Sequence, residues 1–248
     1  MSPTAGWHDQ ELLGFDLETT GVDRFFDVPV SFALVTVIDG GVVERRTSLV
    51  DPGREIPEGA TAIHGITSER ARTDGMALDD AVALLADAIV AASRQGIPVV
   101  GMKLDYDLTI LDVQCRRLDG RGLGDRGFAG PVLDALVLDR RFDRYRKGRR
   151  TLVDLCAEYG VVIGRAHDAV ADAEASVAVL GAIGRRFPTL HQMRVARLHL
   201  AQANWHRQWA DSYDEWRRSQ DMSPLEPGEW QWPIALPPDD ADRLAMPA

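Results

Sequence analysis

The stretch Gly14-Phe15-Asp16-Leu17-Glu18-Thr19-Thr20-Gly21 sets two acids, one residue apart, in a segment that otherwise reads as a buried strand. Leu12 and Leu13 precede it, and an alternating apolar run follows from Val28. A buried ionised carboxylate costs several kcal/mol unless its charge is compensated. An arginine partner, a helix cap and a metal ion are the available compensations. Side chains two apart on a strand share a face, so Asp16 and Glu18 point together and Leu17 points away. Alone, an Asp-x-Glu pair is weak, because a strand end whose acids meet solvent or arginine is the commoner case.

The surrounding pattern supplies the fold class. Val28–Ile38 alternates, meets Asp39-Gly40-Gly41 and returns through Val42–Val50, which predicts a hairpin. The chain therefore opens with a three-stranded antiparallel meander, its two acids at the end of the first strand. A loop is expected around Ala62-Ile63-His64-Gly65-Ile66-Thr67. Apolar residues at 78, 82, 85 and 89, with a stop at Gly96, predict a helix from Leu78 to about Arg94. A short strand at Pro98–Gly101 leads into a helix from about Tyr106 to Arg117, and another short strand is expected at Pro131–Leu133. Helices are expected near Asp134–Phe142, Thr151–Tyr159 and Asp168–Arg186. Strands first and helices later indicate an α/β domain on a mixed sheet, taken as residues 8–187.

From Pro188 the character changes. Leu198, Trp205, Trp209, Tyr213 and Trp216 fall on a helical stripe, and five of the six tryptophans lie from Trp205 onward. Residues 188–222 read as a C-terminal helical extension whose stripe either packs or docks a partner protein or second copy. Residues 223–248, rich in proline and acids, read as a surface strap or a partly disordered tail.

Composition narrows the function classes. The 248 residues, 45% hydrophobic and 27% charged, suit a chain with a real core. The N-terminus lacks a basic and apolar leader, and the apolar window near residues 81–92 is interrupted by Asp87, so no signal peptide or membrane span is expected and a cytoplasmic location is. Cys115 and Cys156 have no metal-binding spacing and read as reduced, buried thiols. A net charge of −10 argues against coating duplex DNA through a broad basic face. It leaves room for an enzyme that admits one strand end into a metal-lined pocket. The run from Arg140 to Arg150 holds seven basic residues against one acid. It reads equally as a contact for a strand backbone, with Tyr145 for stacking, or as a solvated linker. The glycine-rich Gly120–Gly130 segment lacks Gly-Lys-Ser/Thr and is no P-loop. Asp134 reads as a helix N-cap.

Further acids shift the reading of the opening pair. Asp107 stands where a strand hands over to a helix, a position that also suits a cap. In His167-Asp168-Ala169-Val170-Ala171-Asp172 the histidine precedes the long helix, Asp168 caps it, and Asp172 one turn inside has no structural task. An α/β sheet brings such segments to one edge of its strands. Four carboxylates and a histidine suit two-metal phosphodiester chemistry. Magnesium prefers oxygen ligands. Two ions about 4 Å apart stabilise both the attacking and the leaving oxygen, and a histidine near neutrality can take the proton of the attacking water.

These motifs resemble the DnaQ-like, or DEDDh, 3′→5′ exonucleases, the superfamily of the proofreading epsilon subunit of bacterial DNA polymerase III. The resemblance spans roughly residues 12–180 and rests on FDLETTG, His64-Gly65-Ile66-Thr67, Tyr106-Asp107 and H-x-x-x-x-D at His167–Asp172. It implies a ribonuclease-H-like fold with a five-stranded mixed sheet. It makes Asp16, Glu18, Asp107 and Asp172 ligands for two magnesium or manganese ions, and His167 the general base. It implies that Thr19, Thr20 and Gly21 contact the terminal nucleotide and that the loop at His64 helps hold its base; Lys103 and Tyr106 are read as further substrate contacts. The substrate implied is a nucleic-acid 3′ end, single-stranded or frayed DNA ahead of RNA, cut to nucleoside 5′-monophosphates. An oligoribonuclease and a non-catalytic nucleic-acid-binding subunit are the rival readings. One position departs: members commonly carry asparagine four residues before the third acid, where this chain has Lys103. A lysine there either repels metal, grips a phosphate or pairs with Asp105.

Overall fold

The computed structural model describes residues 6–237. After a short 3-10 turn at Trp7–Asp9, the meander forms as β1 (Leu12–Thr19), β2 (Pro29–Ile38) and β3 (Gly41–Asp51). The β2–β3 turn is tight because Asp39 and Gly40 both take positive φ, 51° and 72°, as this hairpin type requires. Two short helices, α1 (Glu58–His64) and α2 (Ser68–Asp74), follow where a loop was expected, and His64 ends the first of them. The two-residue β4 (Met76–Ala77) pairs in parallel with β3 and leads into α3 (Leu78–Gln95).

The second half alternates strand and helix: β5 (Val99–Gly101), α4 (Leu104–Asp119), β6 (Val132–Asp134), α5 (Ala135–Phe142), α6 (Leu152–Tyr159) and α7 (Ala169–Arg186). The extension consists of α8 (Pro188–His191) and α9 (Val195–Ser219). The sheet is mixed and six-stranded, in the order β4-β3-β2-β1-β5-β6. The expected count of five is corrected by β4, too short to carry a pattern of its own.

Strands β1 and β2 are buried on both faces, as central strands covered by helices are. Phe15, Leu17, Phe32 and Leu34 pack with Leu85 and Ile89 of α3 and with Leu108 and Leu111 of α4. Leu12, Ala33 and Val35 face the other way, toward Ala173, Val177 and Leu180 of α7, together with Leu138 of α5 and Leu155 of α6. The even-numbered residues of β1 therefore look at α7. Gly14 permits the close approach, since a Cβ there would lie 2.9 Å from Val177 Cγ2.

The C-terminal segment is part of this body. Helix α9 packs against α5 and β6. Residues 223–237 lie against the same core with Leu225, Trp232 and Ala235 buried, and the Ala235 N–H donates to Thr109 Oγ1 at 2.9 Å. The remainder of the expected tail, residues 238–248, falls outside the described residues. Among the described residues no helix is long and apolar enough to cross a membrane. Both cysteines are free and buried.

Candidate active site

Strand β1 outruns its parallel neighbour. Its pairing with β5 ends at Gly14↔Val100, so the N–H groups beyond that point on the β5 side need other acceptors. The Leu17 N–H finds one in Asp107 Oδ1 at 3.1 Å, which draws the first turn of α4 onto the strand end. Asp107 is thus not the cap of its helix. That position belongs to Lys103, held at φ 60° and ψ 39°. The turn is fixed by Asp134, which does cap α5 through the N–H groups of Leu136 and Val137. The same carboxylate accepts the N–H groups of Lys103 at 3.2 Å and Leu104 at 2.8 Å.

From the other side comes α7. Asp168 caps it by accepting the Ala171 N–H at 3.1 Å. His167, at φ 62°, donates its N–H to Asp172 Oδ2 at 3.1 Å. One ligand atom each from Glu18, His167 and Asp172 lies within 4.8 Å of the others. Asp172 Oδ1 is buried and without a hydrogen-bond partner. Asp16 sits among the carboxylates. Burial, then the charges of Asp107, Asp172, Glu18 and Asp168, hold it well above the usual carboxylate range. Burial and the charges of Asp172 and Asp168 raise Glu18 to about 7. Asp107 is raised well above its usual value, chiefly by burial and against the pull of the Leu17 N–H. Asp172 is raised by burial.

None of these four acids has an arginine or lysine within 4.0 Å among the described residues. Arginine is therefore not the compensation for the opening pair. A concentration of buried acid, one oxygen of it unpaired, fits a divalent cation in chemistry: hard oxygen donors with a histidine alongside.

The sites expected to meet a terminal nucleotide are more varied. Thr19 Oγ1 donates to the Gly21 carbonyl at 2.8 Å and lies 3.1 Å from the Tyr106 hydroxyl, which also donates to that carbonyl. Thr20 turns inward, donating to Asp27 Oδ1 at 2.6 Å and accepting the Val28 N–H at 3.2 Å. Its hydroxyl is committed to shaping the turn. Gly21 backs onto the Asp27 carboxylate, 2.6 Å from where a Cβ would stand. His64 accepts the Ile66 N–H on Nδ1 at 3.0 Å and leaves Nε2 buried and unpaired. Burial and the nearby His167 lower its basicity against the opposing effect of the Thr19 backbone. The His64 loop and the His167 loop thus adjoin at the strand end.

Lys103 does not pair with Asp105. Arg24 does, at 2.9 Å, while the Lys103 ammonium lies 5.3 Å from the Tyr106 ring centre. The basic run is only partly solvated: Arg146 and Arg150 both bind the fully buried Asp139, joined there by the Tyr159 hydroxyl. Two contributors escaped the sequence. Asp168 was legible only as a cap, although its charge also acts on Asp16 and Glu18. Arg24 gives no local signal that it reaches Asp105, 81 positions away.

Comparison with known proteins gives the family and the fold. The Exonuclease (RNase_T) family model matches residues 13–180. The DNA polymerase III PolC-type protein of Lacticaseibacillus paracasei is 28% identical over 183 residues, covering 74% of this chain and 12% of the relative. The DNA polymerase III subunit epsilon-like protein of Rhodobacter capsulatus is 32% identical over 187 residues, covering 69% of this chain and 24% of the relative. The chain thus spans a quarter or less of these two relatives. In fold it is similar to E. coli exonuclease I in complex with a dT13 oligonucleotide, with a TM-score of 0.60 and 22% identity, over 73% of this chain and 42% of that one. The zinc-bound exonuclease I–ssDNA complex gives a TM-score of 0.63 at 22% identity, over 80% and 43%. With more than half its length matched, and with DnaQ-like motifs meeting at one strand end, the chain belongs to the Exonuclease (RNase_T) family.

Proposed function

We propose that the protein is a metal-dependent 3′→5′ exonuclease that removes nucleotides singly from a single-stranded or frayed DNA 3′ end and releases nucleoside 5′-monophosphates. The observation that carries this reading is the meeting of Glu18, His167 and Asp172 around one point, beside Asp16, with no arginine or lysine paired to the acids among the described residues. Asp16, Glu18 and Asp172 would hold divalent cations, magnesium or manganese, with Asp107 completing the set. Such ions, when bound, neutralise charge on the phosphate and lower the pKa of a bound water. His167 would accept the proton of the attacking water on a ring nitrogen. Asp172 orients it by accepting its backbone N–H. Thr19, Gly21 and Tyr106 form the hydrogen-bonded wall against which the terminal nucleotide rests, and Lys103 and His64 flank it. DNA is favoured because relatives are named as DNA polymerase III proteins and the fold relatives include exonuclease I bound to a dT13 oligonucleotide.

The test uses 5′-labelled DNA and RNA of one sequence, incubated with magnesium or manganese, with EDTA and Asp16→Ala as controls. A ladder shortening from the 3′ end of the DNA, abolished by either control, is expected. Internal cuts would sink the exonuclease reading, and a ladder on RNA alone would move the protein to oligoribonucleotide turnover.

A further inference from the structure

A cleft of about 850 Å³ opens between α5 with its following loop and the face of α9. Its walls carry Arg140, Arg141 and Arg144 on one side and Trp205, Trp209 and Tyr213 on the other. Arg24 and Arg150 also line it but are tied to Asp105 and Asp139. The first three arginines have no carboxylate within 4.0 Å among the described residues. In a chain of net charge −10, a cleft where Lys103, Arg140, Arg141 and Arg144 face only Asp211 and Glu229, once Arg24 is paired with Asp105 and Arg150 with Asp139, is a local reversal of sign. Arg140 is the sharpest case. It stacks over Trp209 with its guanidinium carbon 3.4 Å from the ring centre. Burial lowers it to about 10 against the attraction of Asp134 and Asp105.

The aromatic wall is ordered as well. Trp209 and Tyr213 stack at 5.1 Å with 18° between planes, and Tyr213 and Trp216 at 5.5 Å with 13°. Arg140 thus ends a ladder of parallel rings, and Trp216, half exposed, ends it at the other side. Guanidinium groups along one groove supply the cations that the phosphates of a single strand require, and the stacked rings hold the Arg140 end of that groove in place.

The cleft reaches the start of the helix that carries Asp107. Lys103 and Asp105, at the start of α4, line it. The next two residues of that helix are Tyr106 and Asp107. We infer that the α5–α9 cleft binds the phosphates of a nucleic-acid single strand on the 5′ side of the nucleotide held at the carboxylates. The inference rests on the exonuclease reading for the strand's direction, and on the cleft alone for its binding.

Binding is measured by fluorescence anisotropy with end-labelled dT4 and dT20 in EDTA, so that no strand is cut. The wild-type chain is compared with Arg141→Ala/Arg144→Ala, two exposed positions, and with Arg141→Lys/Arg144→Lys. The alanine pair is expected to weaken dT20 binding on the order of tenfold and to lower the slope of log K against log salt by about 1.4, the value for two phosphate contacts on a single strand. The lysine pair keeps the slope, and dT4 loses less than dT20. An alanine pair with wild-type melting temperature, dT20 affinity and salt slope overturns the proposal. If the wild type cuts no strand yet the alanine pair loses dT20, the exonuclease reading fails and the cleft stands. If it cuts from the 3′ end with the slope unmoved, the reverse holds.

Discussion

Among the described residues Asp16 and Glu18 are compensated by neither arginine nor cap, and the consequence is thermodynamic. Each acid around the strand end is raised by burial, with its neighbours' charges adding, so the metal-free folded state binds protons that the unfolded chain has released. For Glu18 the unfolded value is near 4.5 and the folded value about 7. A raised folded pKa on an acid makes stability fully present below about 4.5 and progressively lost as pH rises through about 7. His64, buried, and His199, half-buried, are shifted downward and work the opposite way as they lose their protons, so the whole-protein curve is not the clean observable. The difference between wild type and Glu18→Gln is. In EDTA the variant should melt close to wild type at pH 5 and above it at pH 8, by about 2–4 °C for each kcal/mol of relieved repulsion. Manganese should then raise the wild-type melting temperature more at pH 8 than at pH 5. A wild-type chain that melts above Glu18→Gln at pH 8 without metal would show that burial and repulsion are not what governs this carboxylate.

What was legible in the sequence at the scale of elements follows the range of the signals. The meander, the Gly96 stop, the Asp134 and Asp168 caps and the long helix α7 all announce themselves within a few residues, because alternation, capping and turn chemistry are local. The short β4 and the helices flanking His64-Gly65-Ile66-Thr67 did not, since seven residues or fewer carry too little periodicity. That the acids meet at one edge of the strands was legible from the α/β pattern, but the contacts that hold them there, such as the Leu17 N–H donating to Asp107, are encoded by no local pattern. Another such contact is between α7 and β1 at Gly14. A methyl group there would stand 2.9 Å from Val177 Cγ2, so Gly14→Ala must push α7 away. Overpacking of this kind costs about 1–3 kcal/mol. Because α7 also carries Asp172, activity should fall by more than the loss of folded protein accounts for. Val177→Ala removes the obstructing methyl, and Gly14→Ala/Val177→Ala should recover most of the rate. Exonuclease assays on the two singles and the double, at matched folded fraction by circular dichroism, decide it: a double variant no faster than Gly14→Ala would mean that the helix is not what the methyl displaces.

At the scale of the molecule, the extension completes the sheet. Strand β6 is an edge, and an edge presents unpaired N–H and C=O groups that must be covered. Helix α9 covers it with side chains. Gln202 accepts the Asp134 N–H on Oε1 at 2.8 Å and donates from Nε2 to the Val132 carbonyl at 3.0 Å, while His199 Nδ1 accepts the Val132 N–H at 3.2 Å. One buried amide thus mimics a neighbouring strand. The covered residue is Asp134, which fixes the start of α4 and so the position of Asp107. The path from α9 to the carboxylates is therefore a chain of hydrogen bonds, and the extension bears on the site without touching it. Gln202→Leu keeps the volume but leaves two buried backbone groups unpaired, at about 1–3 kcal/mol for each group so stranded. Urea denaturation should register that loss as a lower midpoint with an unchanged slope. Gln202→Glu discriminates between packing and hydrogen bonding: its carboxylate still accepts the Asp134 N–H but cannot donate to Val132, so it should also destabilise, and more so at pH 8 than at pH 5, where protonation restores a donor. A Gln202→Leu chain as stable as wild type would mean that the β6 edge finds other partners and that α9 is held by its apolar contacts alone.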